Sequence, residues 1–413
     1  MTQPDPTSDA APPIRFDSSA TGPLAGMRVL DLSRLVAGNM LSLQLADFGA
    51  EVIKIEPPEG DPLRAWRDGG ETLFWKTYSR NKRSVVMNLR QEAARAALLR
   101  LVETADVFIE NYRPGTLEAM GLAPDLLLAR NPNLVVVRIS GFGQTGPYAQ
   151  RPGFGTLVEA MSGFADRTGF ADREPVLPPL ALADMIAGLS GAMAVVTALL
   201  ARQRGLAGGQ VIDLSLLEPL FSTLGPEAAI YRRTGKIKQR AGNGSNTSAP
   251  RNIYRCADGG YVALSGSTQA MAKRIFETIG EGWMIEDARY RTNSDRVRNR
   301  EAVDAAVGGW FAARTRDAAL ATMQAAGVTA GPVYNIQDAL ADPHFRAREV
   351  IVAVDDPELG ALPMHNITPR LSATPGVWRR PAPGLGEHTD EVLGEAGLDA
   401  PAIAALRASG ACA

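Results

Sequence analysis

Five short apolar stretches in the first 140 residues alternate with helical patterns, and this alternation limits the possible folds more than any other feature. Residues 27–32, 51–56, 84–89, 106–110 and 134–139 read as strands rich in Val, Ile and Leu. Helical periodicity covers 36–48, the Ala/Leu-rich segment 91–104, and 114–130. Strands of this kind are buried on both faces, so the pattern predicts an α/β fold with a mostly parallel sheet covered by helices. Residues 210–214 add a further strand.

The pattern changes after about Leu224. A basic stretch at 231–240 and a Gly/Asn/Ser run at 241–248 read as linker and loop. Short strands near 253–256 and 261–264, with helices at 269–279 and 300–326, predict a second, smaller α+β domain. The expected division is a disordered tail at 1–22, a large domain at 23–224, linker and loop at 225–250, a small domain at 251–330, and a return segment at 331–413. The tail is rich in Pro, Asp, Ser and Thr and lacks the apolar core of a secretory signal.

Bulk properties narrow the partners. A formal net charge of −2 gives no reason to expect a nucleic-acid partner. Cys256 and Cys412 lie far apart and fit no metal spacing, so a reducing cytoplasmic setting is expected. His344, His365 and His388 have no partner at metal or triad spacing, and no metal site is expected. Residues 180–201 are long and apolar enough to span a bilayer, but they contain Asp184, Ser190 and two glycines. Their small side chains suit a buried helix, so no membrane association is expected.

Asp184 is the only ionisable residue between 176 and 196. A carboxylate in such a setting needs a partner or a purpose. It sits where an apolar helix begins, so it reads equally as an N-cap or as a nucleophile. The turn 31–38 lacks Gly-x-Gly-x-x-Gly, which excludes a nicotinamide site although Glu56 ends the second strand. No Walker-type phosphate loop is present. Glu110-Asn-Tyr-Arg-Pro-Gly115 and Ser140-Gly-Phe-Gly-Gln-Thr-Gly-Pro147 follow strand ends, where sheet ligands bind. Arg64, Lys82, Arg83 and Arg90 are candidate phosphate partners.

These segments, with Pro23-Leu-Ala-Gly-Met-Arg-Val-Leu-Asp-Leu32, Leu45-Ala-Asp-Phe-Gly-Ala-Glu-Val-Ile-Lys-Ile-Glu56, Asn81-Lys-Arg-Ser84, Leu182-Ala-Asp184 and Gly386-Glu-His-Thr389, resemble the class III CoA-transferase family. That family includes carnitine CoA-transferases, formyl-CoA transferases and α-methylacyl-CoA racemases. The resemblance implies a Rossmann-like open sheet in a large domain that the C-terminal segment rejoins, a smaller second domain, and an interlocked homodimer. It implies coenzyme A as substrate and carrier with no permanently bound cofactor, and acyl-CoA and a free carboxylic acid as reactants. Asp184 matches the catalytic aspartate. Val36, Ala37, Met87, Asn88, Leu89, Arg90, Asn111, Tyr112, Arg113, Ser140 and Gly141 match positions that contact CoA. Gly242, Asn243 and Gly244 lie where the transferases carry a mobile flap.

The implied reaction moves CoA from a donor such as succinyl-CoA to a small carboxylic or dicarboxylic acid. It passes through an aspartyl–acyl anhydride and an aspartyl–CoA thioester. Arg151, Arg251 and Arg255 are candidates for a distal carboxylate. The alternative is an α-methylacyl-CoA racemase or a related proton-transfer enzyme. Racemases resembling this chain carry His-Asp in an Arg-x-Gly-His-Asp setting, where this chain reads Arg151-Pro-Gly-Phe154-Gly155. Phe154 cannot transfer a proton, which tips the expectation to a transferase.

Overall fold

The computed structural model describes residues 13–413; the first part of the expected tail, 1–12, lies outside them. The chain forms two compact units. The first holds the chain up to Ser162, Pro178–Gly225 and Pro343–Ala413, and the second holds Gly163–Leu177 and Pro226–Asp342.

In the first unit the chain enters through β1 (Pro13–Ile14) and then supplies β2 (Arg28–Asp31), β3 (Glu51–Glu56), β4 (Lys82–Val86), β5 (Val107–Glu110), β6 (Val135–Ser140) and β7 (Gln210–Ser215). The last six form one parallel sheet in the order β4-β3-β2-β5-β6-β7. This is the order of a doubly wound dinucleotide-type fold. The chain reverses direction across the sheet between β2 and β5, and that is where such folds place their ligands. Leu30, Ile53, Phe108 and Val136 are fully buried, as strands covered on both faces require.

The sheet also buries charge. Lys54 lies 3.3 Å from Asp31 and 3.1 Å from Asp61. Lys82 donates to Asn39 Oδ1 at 2.9 Å, and Asn39 Nδ2 donates to Asp61 at 2.8 Å. Two lysines and two aspartates leave this cluster formally neutral, and Asn39 links them, so each buried charge has compensation. Burial pushes the Lys82 ammonium down to about 7. Lys82 is thus a structural group and no phosphate partner. Arg64 and Arg83 are committed as well, to Glu56 at 2.7 Å and to Glu395 at 2.9 Å.

The helix Ala37–Asp47 follows β2, and the helix Leu182–Gln203 packs on it more extensively than any other helix pair in the unit. Small residues make this possible. A Cβ on Gly188 would lie 2.7 Å from Met40 Cβ and 2.8 Å from the Ala37 carbonyl oxygen. The long helix is only half buried. Ala183, Ala187, Gly188, Gly191 and Val195 face the core, while Leu189, Met193, Val196 and Leu200 stand exposed along the opposite stripe.

The second unit carries an antiparallel sheet of β8 (Arg251–Arg255), β9 (Tyr261–Ser265) and β10 (Ala330–Pro332), in the order β10-β9-β8. The helices Gln269–Ile279, Arg300–Ala312 and Arg316–Ala325 cover it, and Tyr254 stacks on Phe311 at 5.4 Å. The helix expected over 300–326 is divided because Thr315 caps a new start by accepting from the Ala318 amide. The stretch expected as linker, 225–250, contains the helix Glu227–Thr234 and from Pro226 on belongs to this unit, together with Gly163–Leu177.

The return to the first unit begins at Pro343, later than the expected 331. It forms β11 (Ile351–Asp356) and β12 (Gly360–His365). Pro13 and Ile14 pair with Ala353 and Val354 of β11. The tail expected to be disordered through 22 is therefore ordered by strand pairing where it is described. Val392, Leu393 and Ile403 complete the core beneath the sheet. The strand expected over 84–89 ends at Val86, because Met87 bridges to Cys412 and the Asn88 amide donates to the Ala411 carbonyl.

Candidate active site

The loops that leave β2 and β5 meet at the reversal point of the sheet. The Arg34 amide donates to Asn111 Oδ1 at 2.9 Å, and Asn111 Nδ2 donates back to the Arg34 carbonyl at 2.7 Å. Leu35 holds a left-handed backbone, φ 63°, which is costly for a non-glycine residue. Its amide is tied to Asp61 Oδ1 at 2.9 Å, so the buried charge cluster supports this turn directly. On the other side, Gly141 and Gly153 touch backbone to backbone, and a Cβ on either would lie 2.8 Å from the other's Cα. That contact brings Arg151 and Phe154 to the same place.

The result is a cavity of about 360 Å³ lined by Arg34, Ala37, Asn111, Tyr112, Arg113, Ser140, Gly141, Arg151, Phe154 and Asp184, among others. Three guanidinium groups and one carboxylate suit an anionic ligand. A second cavity of about 290 Å³ is lined by Met87, Asn88, Leu89, Arg90 and residues of the 55–59 turn. Arg34 and Tyr112 line both cavities, and the Arg34 guanidinium lies 5.3 Å from the Tyr112 ring centre.

Asp184 is the third residue of its helix, not the N-cap; Ala181 holds that place and makes no side-chain capping bond. The capping role open from sequence is therefore absent. The carboxyl is pushed up to about 6, first by burial and then by the negative charge of Glu159. Hydrogen bonds from its own amide and from that of Ala37 pull the other way. A Cβ on Gly155 would lie 2.5 Å from Asp184 Oδ2, so only glycine leaves this carboxylate its room.

A model of CoA-transferase family III matches residues 24–389. The chain belongs to CoA-transferase family III. It is 40% identical over 391 residues to a succinyl-CoA–D-citramalate CoA-transferase of Chloroflexus aurantiacus, covering 94% of this chain and 97% of that one. It is 37% identical over 406 residues to the alpha subunit of a succinyl-CoA–L-malate CoA-transferase of the same species, with 95% and 94% covered. The crystal structure of a CaiB/BaiF family protein from Brucella suis superposes with a TM-score of 0.80 at 35% identity, covering 91% of this chain and all of that one.

The transferase fold brings together most of the residues that the sequence singled out. Asp184, Ala37, Asn111, Tyr112, Arg113, Ser140 and Gly141 line the first cavity, and Met87 through Arg90 line the second. Val36 lines neither; it is buried beside Leu63, Trp75 and Ala382. Gly242, Asn243 and Gly244 lie in the second unit. There the Gly242 amide donates to the Gly169 carbonyl at 2.8 Å, and Arg251 donates to the Asn243 and Gly244 carbonyls. Arg251 is thereby engaged with backbone. Arg34, which lines the cavity, and Glu159, which accepts from the Ala183 amide beside Asp184, escaped the sequence reading. Glu159 had a signal, since it is the only charged residue in the helix Gly155–Met161.

The raised carboxyl of Asp184 carries a stability consequence. The folded group titrates above the unfolded one, so folding stability falls as pH rises from 3.8 to about 6, and the full cost is present above that. For a half-buried group, screened by solvent, the cost is about 1–2 kcal/mol. D184N removes it. The variant is expected to unfold at a higher temperature than the parent at pH 7.5 and at the same temperature near pH 4, as followed by circular dichroism.

Proposed function

We propose that this chain transfers CoA from succinyl-CoA to a small dicarboxylic acid, with Asp184 as the acyl acceptor. The observation that carries this reading is the Asp184 carboxylate set into the wall of the reversal-point cavity, beside the Ala37 amide and three arginines. The two Chloroflexus relatives, named for succinyl-CoA and for the dicarboxylic acids citramalate and malate, support the substrate class.

In the first step an Asp184 oxygen attacks the thioester carbonyl, the C–S bond breaks, and CoA leaves as its thiolate. The product is an anhydride between Asp184 and succinate. The thiolate then attacks the Asp184 carboxyl carbon, succinate leaves, and an aspartyl–CoA thioester remains. The acceptor carboxylate attacks that same carbon and expels the thiolate. The thiolate finally attacks the acceptor's carbonyl, giving the new acyl-CoA and free Asp184. Covalent exchange conserves the thioester's energy and splits one hard step into easier ones. The amides near Asp184 are placed to steady the negative charge that each addition puts on oxygen. The carboxyl at about 6 is ionised at neutral pH yet more basic than an ordinary carboxylate.

The second cavity, with Met87, Asn88, Leu89 and Arg90, would take the nucleotide end of CoA, and Arg34 and Tyr112 would lie along its length. With Arg113 matched to CoA and Arg34 lying along it, Arg151 is the cavity arginine left for the acid. Its guanidinium rests 3.7 Å from the Tyr148 ring centre and forms no ion pair among the described residues, so it is assigned the distal carboxylate of the acid. Proton transfer at an α-carbon needs a second acid/base facing the substrate. Phe154 occupies that place, and a side chain at Gly155 would collide with Asp184. A flap role for Gly242–Gly244 rests on the family resemblance. The stripe Leu189, Met193, Val196 and Leu200 supports burial against a second copy in a homodimer, and the interlocked form belongs to this proposal.

Three outcomes are expected. D184A abolishes exchange with its fold intact by circular dichroism, and hydroxylamine trapping during turnover labels Asp184 in the parent; near-normal exchange in D184A rejects the assignment. R151M raises KM for a dicarboxylic acceptor about thirtyfold, the loss of one charge-assisted hydrogen bond, and changes KM for a monocarboxylic acid of equal length less than about threefold. The parent runs at the mass of two chains in light scattering, and M193D shifts it toward one; an unchanged dimer would place the interface elsewhere.

A further inference from the structure

Glu159 is a buried acid that the exchange chemistry above does not use. It is 3% exposed and sits one helical turn beyond Gly155. Its side chain has one hydrogen-bond donor among the described residues, the Ala183 amide at 3.1 Å. That amide belongs to the second residue of the helix whose third residue is Asp184. No cation pairs with Glu159 among the described residues. A buried carboxylate without a counter-ion is expensive to keep, and burying it beside another carboxylate raises the cost further. The short helix that holds it also places Gly155 against the Asp184 carboxylate.

Other charges near the two helices are engaged elsewhere. Arg138 on β6 pairs with Glu110 at 2.9 Å, and Asp213 on β7 accepts from the Gln144 amide at 2.9 Å. Glu218, at the start of the helix Leu217–Ser222, accepts from Ser215 at 2.7 Å, and Asp47 on the Ala37 helix pairs with Arg80 at 2.6 Å. The arginines that line the cavity are Arg34, Arg113 and Arg151, and none of them forms an ion pair with either carboxylate. The negative charge of Glu159 helps hold the Asp184 carboxyl up.

We propose that Glu159 is a positioning residue that acts through Asp184, holding the first turn of its helix by the bond to the Ala183 amide and favouring acylation of Asp184 by like-charge repulsion. This rests on Asp184 being the acyl acceptor. The free carboxylate of Asp184 feels the full repulsion. In the anhydride and in the thioester that carboxyl is neutral, and the repulsion is gone. Glu159 thus destabilises the free nucleophile relative to both covalent forms, without touching substrate.

Two variants of the full-length protein separate charge from hydrogen bond. E159Q keeps an acceptor for the Ala183 amide and loses the charge. The acid limb of its kcat/KM profile is expected to move down by about one pH unit, and the ratio of aspartyl–CoA adduct to free enzyme, measured by intact mass during turnover, to fall about tenfold. E159D keeps the charge but does not reach the amide. Its limb and adduct ratio stay at the parent values while kcat drops about tenfold through misplacement. A purely structural residue would lower stability in both variants and move neither limb nor adduct ratio. An E159Q limb and adduct ratio equal to the parent's, or an E159D limb displaced as far as that of E159Q, overturns the proposal. D184A separates this failure from that of the underlying reading: exchange surviving in D184A overturns both, whereas a dead D184A with an unmoved E159Q overturns only the role of Glu159.

Discussion

Everything at the candidate site depends on how closely two helices cross. The helix Leu182–Gln203 lies on the helix Ala37–Asp47 with Gly188 facing Met40 and the Ala37 carbonyl, and Gly191 facing Leu41 and Leu214. Helices carrying ordinary side chains at the contact stay about 8–10 Å apart. Here the absent Cβ atoms let backbone meet side chain directly. The same contact brings the start of the Ala37 helix beside Asp184, and both line the cavity. The apolar Ala/Gly run that looks like a membrane span by length is better explained by this contact. Its small residues line the face toward the sheet, and its large ones, Leu189, Met193 and Val196, lie on the other.

The turn before the Ala37 helix needs a different kind of support, and charge provides it. Leu35 is held in a left-handed conformation that its side chain disfavours, by an amide bond to Asp61. Asp61 in turn is held by Lys54 and Asn39, and Asn39 by Lys82. Replacing a buried ion pair with apolar groups is often neutral for stability, so stability alone is a weak reason for this cluster. Its geometric effect is specific. It fixes the path of residues 33–37, which places Arg34 between the two cavities and the Ala37 amide at the carboxylate.

Much of the fold was legible because each parallel strand is a local apolar run with its own helix. The strand at 51–56 has the bounds that its Val/Ile alternation indicates. What was hidden depends on partners distant in the chain. Lys82 reads as a surface cation by type, yet it is fully buried because Asn39 and Asp31 await it from other elements. Residues 87–89 read as strand, yet their pairing partner is the last turn of the chain at 411–412. Asp184 and Glu159 make the closest comparison, since each is the only acid in an apolar helix. Asp184 stands out as the lone ionisable residue of an apolar run and by the motif around it. Glu159 does not, because its meaning comes from the Ala183 amide, which only the folded chain brings within 3.1 Å.

Residues 154 and 155 also show how one scaffold separates two chemistries. A carboxylate at position 184 can add to a carbonyl or move a proton, and its own geometry does not choose. The choice lies in what faces it. An acid/base pair at 154 and 155 would supply the second proton relay that α-carbon inversion needs. This chain places an aromatic ring at 154, exposed toward the cavity, and no side chain at 155. The ring contributes apolar surface to the cavity wall. The missing side chain leaves open space beside Asp184 Oδ2. Under the proposed reading, the residues at 154 and 155 therefore favour nucleophilic addition over proton transfer.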